Sequence, residues 1–319
     1  GANTHSLKIT GADPGRYGQA YIVYDSKKSG AQTVSHLRFG PEPIESPYLL
    51  QTAGFIGCHQ WEFVFNTPLL DKAADGATLL LNSPFGPDEV WDKLPESLQK
   101  DIVEKNVKLF VIDAYEVAGQ TGMGRRINTV MQVCFFALAK IMETDEAIKL
   151  IKDAIAKTYA KKGDKIVQLN FAAVDASLAH LHEVEIDDGK RSGIGARRIV
   201  PEIAPVFVQD VTAEMMAGRG DQLPVSKVPV DGTYPTATTQ WEKRGIAQMI
   251  PEWLDDNCIQ CGNCSFVCPH AAIRAKFCNE TELEEAPESF QSARISARGF
   301  PEMRYVLQVY PCLLYTSPS

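Results

Sequence analysis

No stretch of the sequence approaches the roughly 20 consecutive apolar residues that a bilayer-spanning helix requires. The apolar run from Ile127 to Met142 is itself broken by Asn128, Gln132 and Lys140, so no membrane partner is expected. Positive charge is also short, with 32 Lys and Arg against 40 Asp and Glu for a formal charge of −8. No basic run with interleaved aromatics occurs, which argues against nucleic acid as a partner. Internal repeats and low-complexity tracts are absent. The chain opens on Gly1, Ala2 and Asn3 without an initiator Met, a basic segment or an apolar leader, and a fragment is therefore expected.

What is present suits a globular protein of two or three domains: 319 residues, 45% hydrophobic and 23% charged, enough to bury a core. Strand patterns come first. Leu7 and Ile9 alternate, Ala20 to Tyr24 is apolar and aromatic, and Thr33 to Phe39 alternates again. Ala77 to Leu81 and Val107 to Ile112 are continuous apolar runs, as in strands buried on both faces. A helix over Glu96 to Lys105 between them completes one βαβ unit, and Pro87 to Pro95, with Trp91 and Leu94, reads as a turn of helix packed on the sheet.

After Gly124 the period becomes helical. Ile127, Val130, Met131, Cys134, Phe135, Leu138, Ile141 and Met142 share one face. A second helix takes Thr144 or Asp145 as its cap, turns Ile148, Ile151, Ile155 and Tyr159 inward and stops at Gly163. A third runs from about Asp164 to His182. The expected fold is α/β, a mixed sheet with flanking helices, over residues 1–200. From Val200 to Arg244 periodicity gives way to recurring Pro and Gly, and residues 201–245 are expected to form an extended linking segment. Arg219, Gly220 and Asp221 spell a cell-adhesion tripeptide but are read as a turn.

Six of the eight cysteines lie at or beyond position 258, four of them within eleven positions, which points to a metal in a reducing compartment. Their spacing is C-x2-C-x2-C-x3-C-P at Cys258, Cys261, Cys264, Cys268 and Pro269. A [4Fe–4S] cluster needs thiolates around a compact body, and cysteines at intervals of three on a tight turn can wrap three of its irons. Gly262 eases the curvature. In two-cluster ferredoxins the fourth Cys of such a run ligates the neighbouring cluster. The alternatives are a zinc site, which favours two separated C-x2-C pairs, or four reduced structural thiols. Ile259, Phe266, Val267 and Ile273 are expected to form an apolar shell that limits water and tunes the potential. Residues 246–311 are thus expected to form a partial α+β ferredoxin-type domain.

Downstream only Cys278 and Cys312 remain, so two clusters cannot be completed from this chain. Either Cys278 closes a single cluster or a second motif is missing. The abrupt run over residues 312–319 is expected to be non-native.

Elsewhere, Gly119, Gly122 and Gly124 follow a buried strand and precede a helix, with Arg125 and Arg126 expected on its first turn. Gly122, Gly124 and Arg125 could cradle an anion. The G-x-x-G-x-G order is not the dinucleotide fingerprint, and a tight turn with surface Arg is the alternative. Asp113, Tyr115 and Glu116 follow the same strand and are read as solvated loop residues. Cys58 and His59 adjoin but would point to opposite faces of a strand, Cys134 lies on an apolar stripe and reads as core, and the histidines show no metal spacing. No catalytic residue is assigned.

Several phrases together resemble the pyruvate:ferredoxin (flavodoxin) oxidoreductase family over almost the whole chain: Tyr21 to Gly30, Val34 to Gly40, Gly119 to Thr129, Trp241 to Ile246 and Cys258 to Arg274. The resemblance implies an internal piece of a thiamine-dependent enzyme: a γ-type α/β domain, a small linking domain and the start of a two-cluster ferredoxin domain. It further implies 2-oxoacid decarboxylation coupled to coenzyme A acylation, with thiamine diphosphate and Mg in the full-length enzyme. Electrons would leave one at a time through [4Fe–4S] clusters to ferredoxin or flavodoxin. A cytoplasmic homodimer, a second Cys motif after Tyr305 to Pro311 and coenzyme A near the Gly122 loop are implied as well. A stand-alone electron carrier and a γ/δ-type subunit of a multi-chain enzyme are the competing expectations.

Overall fold

The computed structural model describes residues 6–7, 9–10, 15–24, 33–195, 198–242, 250–269, 271–300 and 302–310. It divides into two compact units, one of residues 1–23 and 34–236 and one that joins the short segment 24–33 to residues 237–319.

In the first unit a four-stranded mixed sheet runs β3 (Ala53–Cys58), β4 (Ala73–Asn82), β5 (Lys108–Ile112), β6 (His182–Glu183). The first three strands are parallel and β6 is antiparallel to β5. A separate two-stranded sheet pairs β1 (Tyr17–Tyr24) with β2 (Thr33–Gly40). The continuous apolar runs have a direct cause: successive side chains of a strand alternate between faces, and both faces of β4 and β5 are covered. Leu79, Leu81, Leu109 and Val111 join Trp91, Leu94, Leu98 and Ile102 in one layer, supplied by helices α1 (Pro87–Lys93) and α2 (Glu96–Glu104). Leu80 and Ile112 meet Val117, Met131 and Cys134 in the opposite layer, from α3 (Ala114–Gln120) and α4 (Asn128–Ala139). Each fully buried Leu contributes about 1.5–3 kcal/mol by leaving water. Helices α5 (Thr144–Tyr159) and α6 (Asp164–Ser177) pack a third cluster with α4, around Phe136, Ile151 and Val174.

Several expectations are corrected. Residues 6–7 and 9–10 are helical rather than strand: Thr10 Oγ1 donates to Ser6 O at 3.0 Å, and Ile9 joins the third cluster. Alternation over only two positions cannot separate a period of 2 from one of 3.6, and burial of Ser6, Ile9 and Thr10 follows the helical spacing. Helix α4 ends before Ile141 because Lys140 turns left-handed at φ 50°. In α5 the cap position is Glu143, with no side-chain cap bond, and Thr144 is already helical. The third helix ends at Ser177 and continues only as a 3-10 turn to His180.

The linking segment is not wholly extended. Val208–Thr212 form a π-helical turn that runs into Ala213–Met216, with Val208, Val211 and Ala213 buried. Pro205 starts it by accepting from Val208 N and Gln209 N at 2.8 and 3.0 Å. Farther on, Arg219 clasps Glu214 through two bonds of 2.7 and 2.8 Å, and Gly220–Gln222 is a 3-10 turn, so the Arg-Gly-Asp sequence is structural.

The second unit holds a three-stranded antiparallel sheet ordered β7 (Ile273–Asn279), β9 (Met303–Val309), β8 (Ala293–Arg294). Its small core is Ile295, Tyr305 and Leu307, with Trp253, Cys258, Ile273, Met303 and Val309 packed against it. Among the described residues, no helix of either unit is long and apolar enough to cross a membrane.

Candidate iron–sulfur centre

Cys258 closes a 3-10 turn over Asp255–Asn257, its N–H donating to Asp255 O at 3.0 Å. The chain then reverses through two left-handed residues, Gln260 at φ 55° and Gly262 at φ 72°. Gly262 adopts this conformation without strain, whereas Gln260 needs support. It has it: the Gln260 amide donates to Arg294 O at 2.7 Å and accepts from Ser296 N at 2.9 Å and Ser296 Oγ at 3.1 Å. Cys264 then sits on the short helix α7 (Asn263–Val267), and Cys268 follows it.

Cys258 and Cys268 are half-buried and Cys261 and Cys264 exposed. Backbone donors are already aimed at sulfur. Gln260 N–H lies 3.4 Å from Cys258 Sγ and Ala272 N–H 3.3 Å from Cys268 Sγ. Burial, and after it the nearby Cys258, Cys264 and Cys261, raises the pKa of the Tyr305 hydroxyl. That hydroxyl, Trp253 Nε1 and Ser265 Oγ are buried without a hydrogen-bond partner. A set of soft thiols with orphaned donors at its back fits an iron–sulfur cluster, whose sulfurs accept hydrogen bonds. Among the described residues no three His, Cys, Asp or Glu side chains converge on one point.

The expected apolar shell is corrected. Ile259, Phe266 and Val267 are 80%, 89% and 70% exposed, and of the four only Ile273 packs into the core. The aromatic groups in the core against which Cys258 packs are Trp253 and Tyr305, which sequence reasoning passed over because neither lies in the motif. Cys278 is buried in β7, its thiol directed at Arg304 O at 3.7 Å, and it joins no ligand group among the described residues. His270 and Cys312 fall outside the described residues.

The glycine loop of the first unit closes a helix. Met123 N donates to Ala118 O at 2.7 Å and Gly122 N to Gly119 O at 3.1 Å, with Gly122 at φ 74°: a Schellman cap on α3. Gly119 is inside α3, and Arg125 and Arg126 precede α4 rather than forming its first turn. The N–H groups of Gly122 and Met123 are therefore committed to the helix end. Gly124 is left-handed with open space around it, and the Arg125 guanidinium lies over the Tyr115 ring at 5.4 Å. Asp113 is the N-cap of α3 and accepts from Glu116 N at 2.9 Å. Cys58 and Cys134 are pushed up to about 12 by burial, and His59 is held below the usual histidine range by the same cause, so no nucleophile pair arises.

Comparison with known proteins places the chain. Residues 4–179 match the family described as pyruvate ferredoxin/flavodoxin oxidoreductase. The chain belongs to that family. Residues 195–247 match a domain of unknown function, and 250–273 match a 4Fe-4S binding domain. This oxidoreductase segment is 52% identical over 312 residues to pyruvate-flavodoxin oxidoreductase from Rhodospirillum rubrum, covering 98% of the chain and 26% of the relative. It is 50% identical over 318 residues to pyruvate-flavodoxin oxidoreductase from a Nostoc species, again 98% and 26%. The chain thus spans about a quarter of the length of the curated relatives it matches. Among solved structures, a pyruvate oxidoreductase subunit from Thermotoga maritima aligns with a TM-score of 0.44 at 16% identity, covering 58% of this chain and 90% of that one.

Proposed function

We propose that this chain is the electron-exit segment of a 2-oxoacid oxidoreductase that converts pyruvate to an acyl-coenzyme A. On this reading residues 1–200 are a γ-type α/β domain, 201–245 a linking domain and 246–311 the start of a ferredoxin-type domain. Cys258, Cys261 and Cys264 hold one [4Fe–4S] cluster and Cys268 serves its neighbour. One observation carries the reading: the C-x2-C-x2-C-x3-C-P run is folded around two left-handed residues with N–H groups aimed at its sulfurs, in a chain half identical to pyruvate-flavodoxin oxidoreductases.

A bound cluster accepts and releases one electron at a time. The chain's own contribution is to hold it and set its surroundings. The cysteine thiolates anchor it, and Gln260 N–H and Ala272 N–H offset the negative charge on the sulfurs of Cys258 and Cys268. Exposed Cys261 and Cys264 leave that side open toward an electron acceptor, ferredoxin or flavodoxin. Thiamine diphosphate, Mg and coenzyme A belong to the whole enzyme, a cytoplasmic homodimer. The cover of 98% of this chain by about a quarter of single long relatives supports a fused enzyme over a separate carrier or subunit.

The test is iron and sulfide analysis with electron paramagnetic resonance after anaerobic reconstitution. A brown chain with cubane signals, lost in Cys264→Ser, is the expected result. Stoichiometric zinc, or no metal, would overturn the proposal.

A further inference from the structure

The second unit contains a buried hydroxyl with nothing to bond to. Tyr305 is 3% exposed, in the centre of β9, and its Oη has no hydrogen-bond partner. Buried tyrosine hydroxyls nearly always find one, because leaving the group unpaired forfeits its hydration. A buried polar atom left orphaned therefore calls for an absent acceptor. The ring cannot swing the hydroxyl elsewhere at low cost, since it is wedged between Trp253 at 5.7 Å and Phe277 at 6.0 Å, both edge-on. Cys258 packs against the same core. Two other donors of this unit, Trp253 Nε1 and Ser265 Oγ, are orphaned likewise.

We propose that Tyr305 is a positioning and tuning residue whose Oη–H donates a hydrogen bond to a sulfur of the cluster held by Cys258, Cys261 and Cys264. This rests on the cluster-binding reading above. A donor to cluster sulfur stabilises the reduced, more negative state, so the bond raises the reduction potential. The proton stays on oxygen and no bond is broken.

The experiment compares the anaerobically reconstituted chain with its Tyr305→Phe variant by redox titration followed by electron paramagnetic resonance. The ring and its edge-on contacts survive the substitution while the donor is lost. The expected result is an unchanged iron content and about a tenfold loss in the equilibrium constant for one-electron reduction, a fall of 59 mV. An unchanged potential at full iron content overturns the proposal and leaves cluster binding intact. Failure of the unmodified chain to take up any cluster overturns both. Should Tyr305→Phe itself fail to fold or load, 3-fluorotyrosine placed at position 305 decides, since its more acidic hydroxyl is a stronger donor in the same shape. A raised potential supports the bond and an unmoved one refutes it.

Discussion

Cys58 and Cys134 sit inside the apolar layers of the first unit, where burial pushes both thiols up to about 12, while Cys261 and Cys264 are exposed on the cysteine loop. Only the thiolate attacks an alkylating agent. In the folded, cluster-free chain at pH 8, iodoacetamide is expected to label Cys261 and Cys264 and to spare Cys58 and Cys134, as read by peptide mass spectrometry. Rapid labelling of Cys134 without unfolding would contradict the packing. Gly122 gives a second residue-scale expectation. An alanine there must hold φ 74° and would bring its Cβ within 3.0 Å of Leu169. The left-handed penalty alone is about 1–2 kcal/mol, visible as a lower denaturation midpoint with an unchanged slope. Glu214 supplies a third. Its hydrogen bonds from Arg219, the largest cause, hold its pKa below the ordinary value, so its stabilisation is present above the unfolded glutamate range and lost as pH falls through the lower folded value. Glu214→Gln should flatten that part of the stability curve, and an unaltered acid limb in a pH series of melts would count against the clasp.

Elements show where polar groups fix what apolar burial leaves free. Gln99 on α2 is fully buried; it donates to Trp91 O at 2.8 Å and accepts from Ser192 N at 3.0 Å, tying α1 and the strap after β6 to one side chain. Gln99→Leu keeps the bulk but strands the Ser192 N–H, which should cost about 1–3 kcal/mol and speed proteolysis near Ser192. Protection equal to that of the parent chain would show the strap to be held by its other bonds, Ser192 Oγ to Leu94 O, Glu96 N to Ile194 O and Gly193 N to Glu96 Oε1. Helix α3 is legible in the sequence: Asp113 with Glu116 three residues on opens it, and Gly122 closes it. By contrast, β3 with Gly54 and Gly57 carries little strand signal, and pairing with β4 makes it a strand. The helical turn at Val208 was hidden among prolines, although Val208 and Val211 have helical spacing.

At the scale of the molecule, the two units have different sources of stability. The first has three apolar clusters. Among the described residues the second has one small cluster on Ile295, Tyr305 and Leu307, with Ala272, Cys278 and Val306 also buried, too little to be strongly stable alone. If its cysteines hold a cluster, metal binding becomes folding free energy for that unit. Loading iron and sulfide should therefore raise the melting transition of residues beyond Ala237 and leave that of the α/β unit unmoved, as hydrogen exchange resolved by peptide would show. A common shift of both would mean that the units are coupled.

Sequence alone determined the local matters: the spacing of Cys258, Cys261, Cys264 and Cys268, and the two apolar runs that become β4 and β5. Ligand spacing on a turn and burial on both faces of a strand are written in neighbouring residues. Tertiary structure decided what stands beside the cysteines. Antiparallel pairing of β7 with β9 sets Phe277 opposite Tyr305, and Cys258 and Trp253 pack against the core that Tyr305 shares with Ile295 and Leu307. The same folding leaves Ile259, Phe266 and Val267 outside. Strand register couples residues distant in the chain, and no local pattern encodes which polar group then lies buried without a partner.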